Sequence, residues 1–285
     1  MPACVHPLQR VVDGPYAVAR PVHWTPLASI GRYRSAWRGG GARESLSLDY
    51  VVNLPTSGVY LRGRGRGARI VDASQVVLAP RGEVFCNTQP VPGGDAGMYL
   101  RMTPSVARQL AEAAGVGADG WRRLGPLTPG LQAVWLELWR AAHRGLDDDG
   151  LYEGAIAVGE AALRAVAVHH RPPPLSPDAR ERVRAVRLCL AAEPGCREGL
   201  DALAASVQWS RFQLSRAFRR DTRRTVHAYR EQLRMALALE RLRDPAADLA
   251  ELAVSLGYAH HSHFTARFRG RFGLTPSAWR KGARI

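Results

Sequence analysis

At 285 residues the chain is long for one hydrophobic core and comfortable for two, and 40 Lys and Arg against 25 Asp and Glu leave a formal charge of +15. A surface that basic draws polyanions and is costly to keep without one. No window approaches the roughly 18 uninterrupted apolar residues of a membrane-spanning helix, and Cys4, Cys86, Cys189 and Cys196 are scattered without the paired spacing of a structural zinc site, so they read as buried free thiols.

The first twenty residues carry prolines, Arg10 and Asp13 but no continuous apolar run, which argues against a signal peptide and for a soluble, cytoplasmic chain with no membrane partner. From Arg43 to Met102 short runs rich in Val, Leu and Tyr follow one another: SLSLDYVVNL, GVYLRG, RIVDASQVVLAP, EVFCN and GMYLRM. Broken by Pro55, Gly58, Gly63, Pro80, Gly82 and the PGG at 92–94, they predict an antiparallel sandwich or barrel. LRGRGRGAR at 61–69 has the look of an arginine-glycine nucleic-acid segment, yet it sits between two strand-like runs. It reads as a hairpin loop whose glycines make the turn while the arginines stay in water. Trp37, Tyr50, Tyr60, Phe85 and Tyr99 have the aromatic character of a small-molecule pocket, with core packing the competing role for most of them.

The period then changes. Apolar residues three and four apart predict helices from Thr103 to about Leu110, Pro129 to His143 and Leu151 to His169, with Asp147 to Gly150 as a loop between the last two. The apolar faces of that pair would meet each other or a second copy, which makes them the expected homodimer interface. RPPPLSP at 171–177 locks the backbone in an extended form and marks the boundary between a β-rich domain, 1–170, with helices at about 129–169, and an all-α domain, 178–285.

Residues 175–285 hold 21 Arg and Lys against 11 Asp and Glu. Helices are predicted at 177–192, 198–206, 210–220, 225–243, 248–256, 261–270 and 276–282, with Ser176, Ser210 and Thr222 as N-caps and Pro245 stopping the longest one. Residues 200–222 align with 249–273: both begin Leu-x-x-Leu-Ala, pass a short turn and run into a second amphipathic segment. That is how two helix-turn-helix units would be written, at 200–220 and 249–270. Leu200, Leu203, Ala204, Leu214 and Phe218 form the core of the first; Leu249, Leu252, Ala253, Phe264 and Phe268 that of the second, with Gly257 in its turn. The outward faces carry Arg211, Phe212, Ser215 and Arg216, then His261, Ser262 and Thr265, as candidate base contacts in a major groove. Arg219, Arg220, Arg223, Arg224, Arg269, Arg271, Arg280 and Lys281 are the candidate phosphate contacts. His260, His261 and His263 could be metal ligands, but on a helix they spread around more than half its circumference with no Cys, Asp or Glu near in sequence, so neither metal nor cofactor is expected.

GYAHHSHFTARFRGRFGLTPSAWR, with Gly257-Tyr258, Ser262-x-Phe264, Phe268, Phe272-Gly273, Pro276-Ser277 and Trp279, resembles the signature of the AraC/XylS family, and LSRAFRRDT with the helix after it resembles that family's first half. Departures are Arg223-Arg224 where a Gly is usual, Val226 where Pro is common, and Ala266 where Arg is frequent. The resemblance implies a transcription regulator and activator on promoter or operator duplex DNA, acting through recruitment or exclusion of RNA polymerase and modulated by a small-molecule effector or by dimerisation. ASQVVLAPRGEVF at 73–85 resembles, more weakly, part of the cupin-like sensing half of many members. No histidine lies between Trp24 and Trp139, which disfavours a cupin metalloenzyme, and no nucleophile elbow or phosphate loop is present, so no catalytic residue is assigned. The rivals are an enzymatic N-terminal barrel with an accessory DNA-binding part, and a non-specific architectural DNA binder.

Overall fold

A computed structural model describes residues 12–13, 17–35, 43–116, 118–121, 123–167 and 175–282. Cys4, Trp37 and most of the proline-rich segment lie outside the described residues. The chain divides between residues 169 and 170 into two compact units, the first sheet-rich and the second helical.

The first unit contains β1 (Val12–Asp13), β2 (Ala17–Trp24), β3 (Ala28–Ser35), β4 (Arg43–Leu46), β5 (Tyr50–Arg62), β6 (Arg69–Asp72), β7 (Gln75–Ala79), β8 (Val84–Thr88), β9 (Asp95–Met102) and β10 (Leu124–Pro126). Pairing is antiparallel along β1-β2-β3-β9-β5-β7-β10, with a branch in which β4 pairs β8 and both β8 and β6 pair β5. β5 is long enough to serve two layers: residues 50–58 pair with β9 and β7, residues 59–62 with β6 and β8. Pro55 does not break it, because the register shifts by one residue between Pro55 and Ser57, a bulge where a missing N–H costs little. β2 and β3 fall outside the predicted strand region. A side chain at position 31 would collide with the Arg20 carbonyl and the Tyr99 hydroxyl, so glycine is what lets β3 lie between β2 and β9. All of β9 is buried, and Ile30, Val52, Leu78, Leu100 and Met102 form the core around it.

Three helices complete this unit: α1 (Pro104–Ala113), α2 (Pro129–Arg144) and α3 (Asp148–Ala167). The predicted loop at 147–150 is shorter than expected. Asp148, Asp149 and Gly150 form the first turn of α3, where acidic side chains favour the positive helix end, and the Asp147 carboxylate accepts from the Gly150 N–H. Leu131, Trp135, Leu138 and Trp139 of α2 and Val158, Leu163 and Val166 of α3 are all buried within the chain. Most of the apolar faces of this pair are thus packed against each other and the sheet, the first of the two expected arrangements, while Val134 and Ile156 stay half-buried. The 61–69 run is a hairpin between β5 and β6, as expected, but its arginines are not all in water: the Arg62 side chain is 13 % exposed and bonds Glu83.

The second unit contains α4 (Pro177–Ala192), α5 (Leu200–Ser206), α6 (Arg211–Thr222), α7 (Val226–Arg241), α8 (Leu249–Ser255), α9 (His261–Phe272) and α10 (Pro276–Gly282). Ser176 and Ser210 cap α4 and α6, the latter in a full capping box with Gln213. Thr222 is not a cap: it closes α6, donating to the Phe218 carbonyl, and Thr225 caps α7. Of the described cysteines Cys86 is buried, Cys189 is exposed and Cys196 half-buried, so the buried-thiol expectation holds for Cys86 alone among them. Among the described residues no helix is long and apolar enough to cross a membrane, and no three His, Cys, Asp or Glu converge as a metal site.

Candidate nucleic-acid interface

The two helix pairs α5–α6 and α8–α9 share their internal bonding. The Trp209 N–H donates to the Ala204 carbonyl (2.9 Å) as that of Tyr258 does to Ala253 (3.0 Å), and the Gln208 N–H meets Ala205 as that of Gly257 meets Val254. From α6 onward the two copies run fifty positions apart. Leu214 and Phe218 stand where Phe264 and Phe268 stand, all fully buried. Tyr229 closes edge-on over Phe218 at 5.2 Å and Trp279 over Phe268 at 6.3 Å, while Thr225 and Thr275 offer their hydroxyls to the following helix. The same solution to burying one face of a short helix is used twice.

Left-handed backbone marks the shared turns. Gly257 (φ 82) and Gly273 (φ 74) occupy them in the second copy, Gln208 (φ 56) and Arg223 (φ 60) in the first. Gly257 has a further reason to be glycine: an added carbon would lie 2.4 Å from the Gly195 carbonyl. The α8–α9 turn is pressed onto the segment after α4, and Arg234 of α7 holds that joint by donating to the carbonyls of Pro194 (2.8 Å) and Cys196 (2.9 Å), while Arg197 donates to that of Tyr258. Burial holds the Arg234 guanidinium below its ordinary pKa.

The outward faces of α6 and α9 are where the predicted contacts lie. Arg211, Phe212, Ser215, Arg216, His261 and Ser262 are exposed, and Thr265 is half-exposed. Phe212 is 70 % exposed on the outward face of α6. Arg211 lies 4.0 Å from Asp201, both in water, and Thr265 and His261 side chains are 3.4 Å apart on successive turns. His261, Ser262, Thr265, Ala266, Arg269 and Gly270 line an open groove along α9.

The predicted phosphate contacts separate into two groups. Arg219, Arg220, Arg223, Arg269 and Lys281 are exposed. Arg224, Arg271 and Arg280 are half-buried: Arg280 donates to the Ala247 carbonyl, and burial together with nearby Arg224 holds Arg271 below its ordinary pKa. Sequence reasoning missed Arg267, which bonds Glu231 at 2.9 Å and ties α9 to α7, and Arg234; single basic residues within helices carry no pattern that sets them apart.

The four aromatic pocket candidates among the described residues have different surroundings. Tyr60 packs with Val71, Val77 and Leu124, and Tyr99 accepts from Arg101 beside Gly31. Burial raises the pKa of both phenols. Tyr50 stands edge-on to Trp121. Phe85 does line a cavity of about 380 Å³ in the first unit, and Trp37 lies outside the described residues.

The fold of the second unit, two like helix pairs with polar outer faces, is that of a nucleic-acid reader, and comparison with known proteins agrees. A family described as "Helix-turn-helix domain" matches residues 203–282. The regulatory protein SoxS of Escherichia coli K12 is 35 % identical over 81 residues, which are 28 % of this chain and 76 % of SoxS. The HTH-type transcriptional activator RhaR of Salmonella arizonae is 31 % identical over 91 residues, 32 % of each chain. Among solved structures, ToxT of Vibrio cholerae O395 overlays 91 % of this chain and 99 % of its own at 12 % identity and a TM-score of 0.35. A regulator of the AraC-type DNA-binding class from Chromobacterium violaceum overlays 38 % of this chain and 93 % of its own at 24 % identity and a TM-score of 0.33. The chain belongs to the AraC/XylS family of DNA-binding transcription regulators.

Proposed function

We propose that the second unit binds its operator through two helix-turn-helix motifs, α5–α6 and α8–α9, which place α6 and α9 in successive major grooves on one face of the duplex. The repeated build of the two pairs, each leaving a polar face on its second helix, carries this reading. α7 has 16 residues, about 24 Å at 1.5 Å per residue. With half a helix width, about 5 Å, at each end that reaches the ~34 Å of one DNA turn.

Arg211, Phe212, Ser215 and Arg216, and His261, Ser262 and Thr265, read base edges; Arg219, Arg220, Arg223, Arg224, Arg269, Arg271, Arg280 and Lys281 hold phosphates. Arg216, Arg219 and Arg269 are the strongest members, being exposed with no partner among the described residues. Fifty positions beyond Arg216 stands Ala266, so the first motif carries the greater share of base discrimination. The first unit, a cupin-like barrel in this reading, senses a small molecule and alters promoter occupancy, with RNA polymerase recruited or excluded, in the cytoplasm. A homodimer would have to use a surface other than the buried faces of α2 and α3.

Selection of sites from random duplexes by the full chain tests this. A motif of two blocks about one turn apart, with one block weakened by Arg216→Ala and the other by His261→Ala, is expected. Tight binding without any enriched motif would leave only a general DNA anchor.

A further inference from the structure

The arginine-glycine run at 61–69 forms one side of the cavity in the first unit. Its volume, about 380 Å³, falls within the usual range for small-molecule sites. The floor is apolar: Leu78 of β7, Phe85 of β8 and Leu124 of β10. Arg62, Arg64 and Arg69 from the run and Arg123 line it as well, against the two carboxylates Glu44 and Glu83. Charge decides what fits. Arg62 Nη2 donates to Glu83 Oε2 at 2.7 Å, and Arg64 Nη2 to Glu44 Oε1, so these four groups cancel in pairs. Arg69 and Arg123 have no partner among the described residues. Among the described residues the cavity is therefore left with two unneutralised guanidinium groups beside its apolar side chains, and the Arg62 guanidinium carbon stands 4.2 Å from the centre of the Phe85 ring.

We propose that this cavity binds a small organic carboxylate, its apolar body on Phe85 and Leu124 and its charge met by Arg69 and Arg123. The fork of a guanidinium matches a carboxylate in two parallel bonds, and a wall with so few neutral donors gives no comparable hold on a sugar or an amide. Only the consequence at DNA rests on the first unit being a sensor; binding itself does not.

Calorimetric titration of the full chain with benzoate and hexanoate, and with benzamide and hexanamide as neutral counterparts, tests the assignment. Arg69 and Arg123 are both exposed, so the R69Q/R123Q double variant keeps the fold, and R81Q, an exposed arginine of the same unit outside the cavity lining, controls for loss of a positive charge elsewhere. Saturable carboxylate binding, unchanged in R81Q and at least about tenfold weaker in R69Q/R123Q, is expected, since each bond to a charged group contributes at that level. No saturable binding of either carboxylate at low millimolar concentration would overturn the proposal. So would equal binding of the amides, or an oligothymidine that displaces the carboxylates through the same two arginines. Operator affinity measured with and without benzoate separates the two claims: carboxylate binding that leaves operator affinity unchanged keeps the site and removes the sensor reading.

Discussion

Arg216 and Ala266 occupy equivalent places on the two outward helices, and the difference between them should be measurable. Arg216→Ala is expected to weaken operator binding by about 1–3 kcal/mol and relax preference at one base pair, because a bidentate arginine–guanine contact is worth that much; electrophoretic mobility shifts on single-base operator variants check it. Arg223, at φ 60 after α6, holds a conformation that Gly273 holds at no cost after α9. Arg223→Gly should therefore stabilise the fold by up to about 1 kcal/mol while weakening DNA binding, so denaturation and affinity should move in opposite directions. In the first unit Asp95 is buried beside Gln89 and Ser35, and burial, only partly offset by those hydrogen bonds, raises its pKa from the ordinary 3.8 to about 6. An acid with a raised folded pKa binds more protons folded than unfolded, so its contribution falls as pH rises from about 4 through 6 and the penalty is complete above that. Asp95→Asn is expected to stabilise the first unit at pH 7.5 by about 1–3 kcal/mol and to flatten the pH dependence of urea unfolding between those limits; an unchanged profile would count against the buried charge.

Among the elements, the joint between the α8–α9 turn and the segment after α4 depends on Arg234. Replacing it by alanine leaves the Pro194 and Cys196 carbonyls without their charged donor, and a loss of about 2 kcal/mol in stability is expected from chemical denaturation. Much of this unit was legible because its signals are local: Ser176 and Ser210 precede helices, and Gly257 sits where the turn needs a positive φ. Thr222 misled, since a threonine can equally bond back to the preceding turn, as it does to Phe218. The sheet was less legible. β2 and β3 carry arginine, proline and glycine whose fitness for a strand depends on neighbours far away in sequence, as Gly31 depends on Tyr99. The apolar faces of α2 and α3 were visible, but periodicity says that a face is buried without saying against what. The pocket aromatics meet a related limit: composition does not separate an aromatic that fills the core, as Tyr60 and Tyr99 do, from one that lines a cavity, as Phe85 does, and Arg69 at the start of β6 and Arg123 just before β10 join that cavity from distant parts of the sequence.

At the scale of the whole molecule the charge of +15 is uneven, with a sheet-rich unit preceding a more basic helical one. Phosphate contacts make affinity fall with salt by about 0.9 in log K per log unit for each phosphate neutralised, so Arg219→Ala and Arg269→Ala should each flatten that slope by about 1 without changing the selected motif. In the proposed binding mode both helix pairs engage DNA at once. Hydroxyl-radical footprinting of the full chain on its selected operator tests it most directly. Two protected patches centred about one helical turn apart on the same face, the first lost with Arg216→Ala and Arg219→Ala together and the second with His261→Ala and Arg269→Ala, is the predicted result. A single protected patch, unaffected by changes in α9, would contradict it.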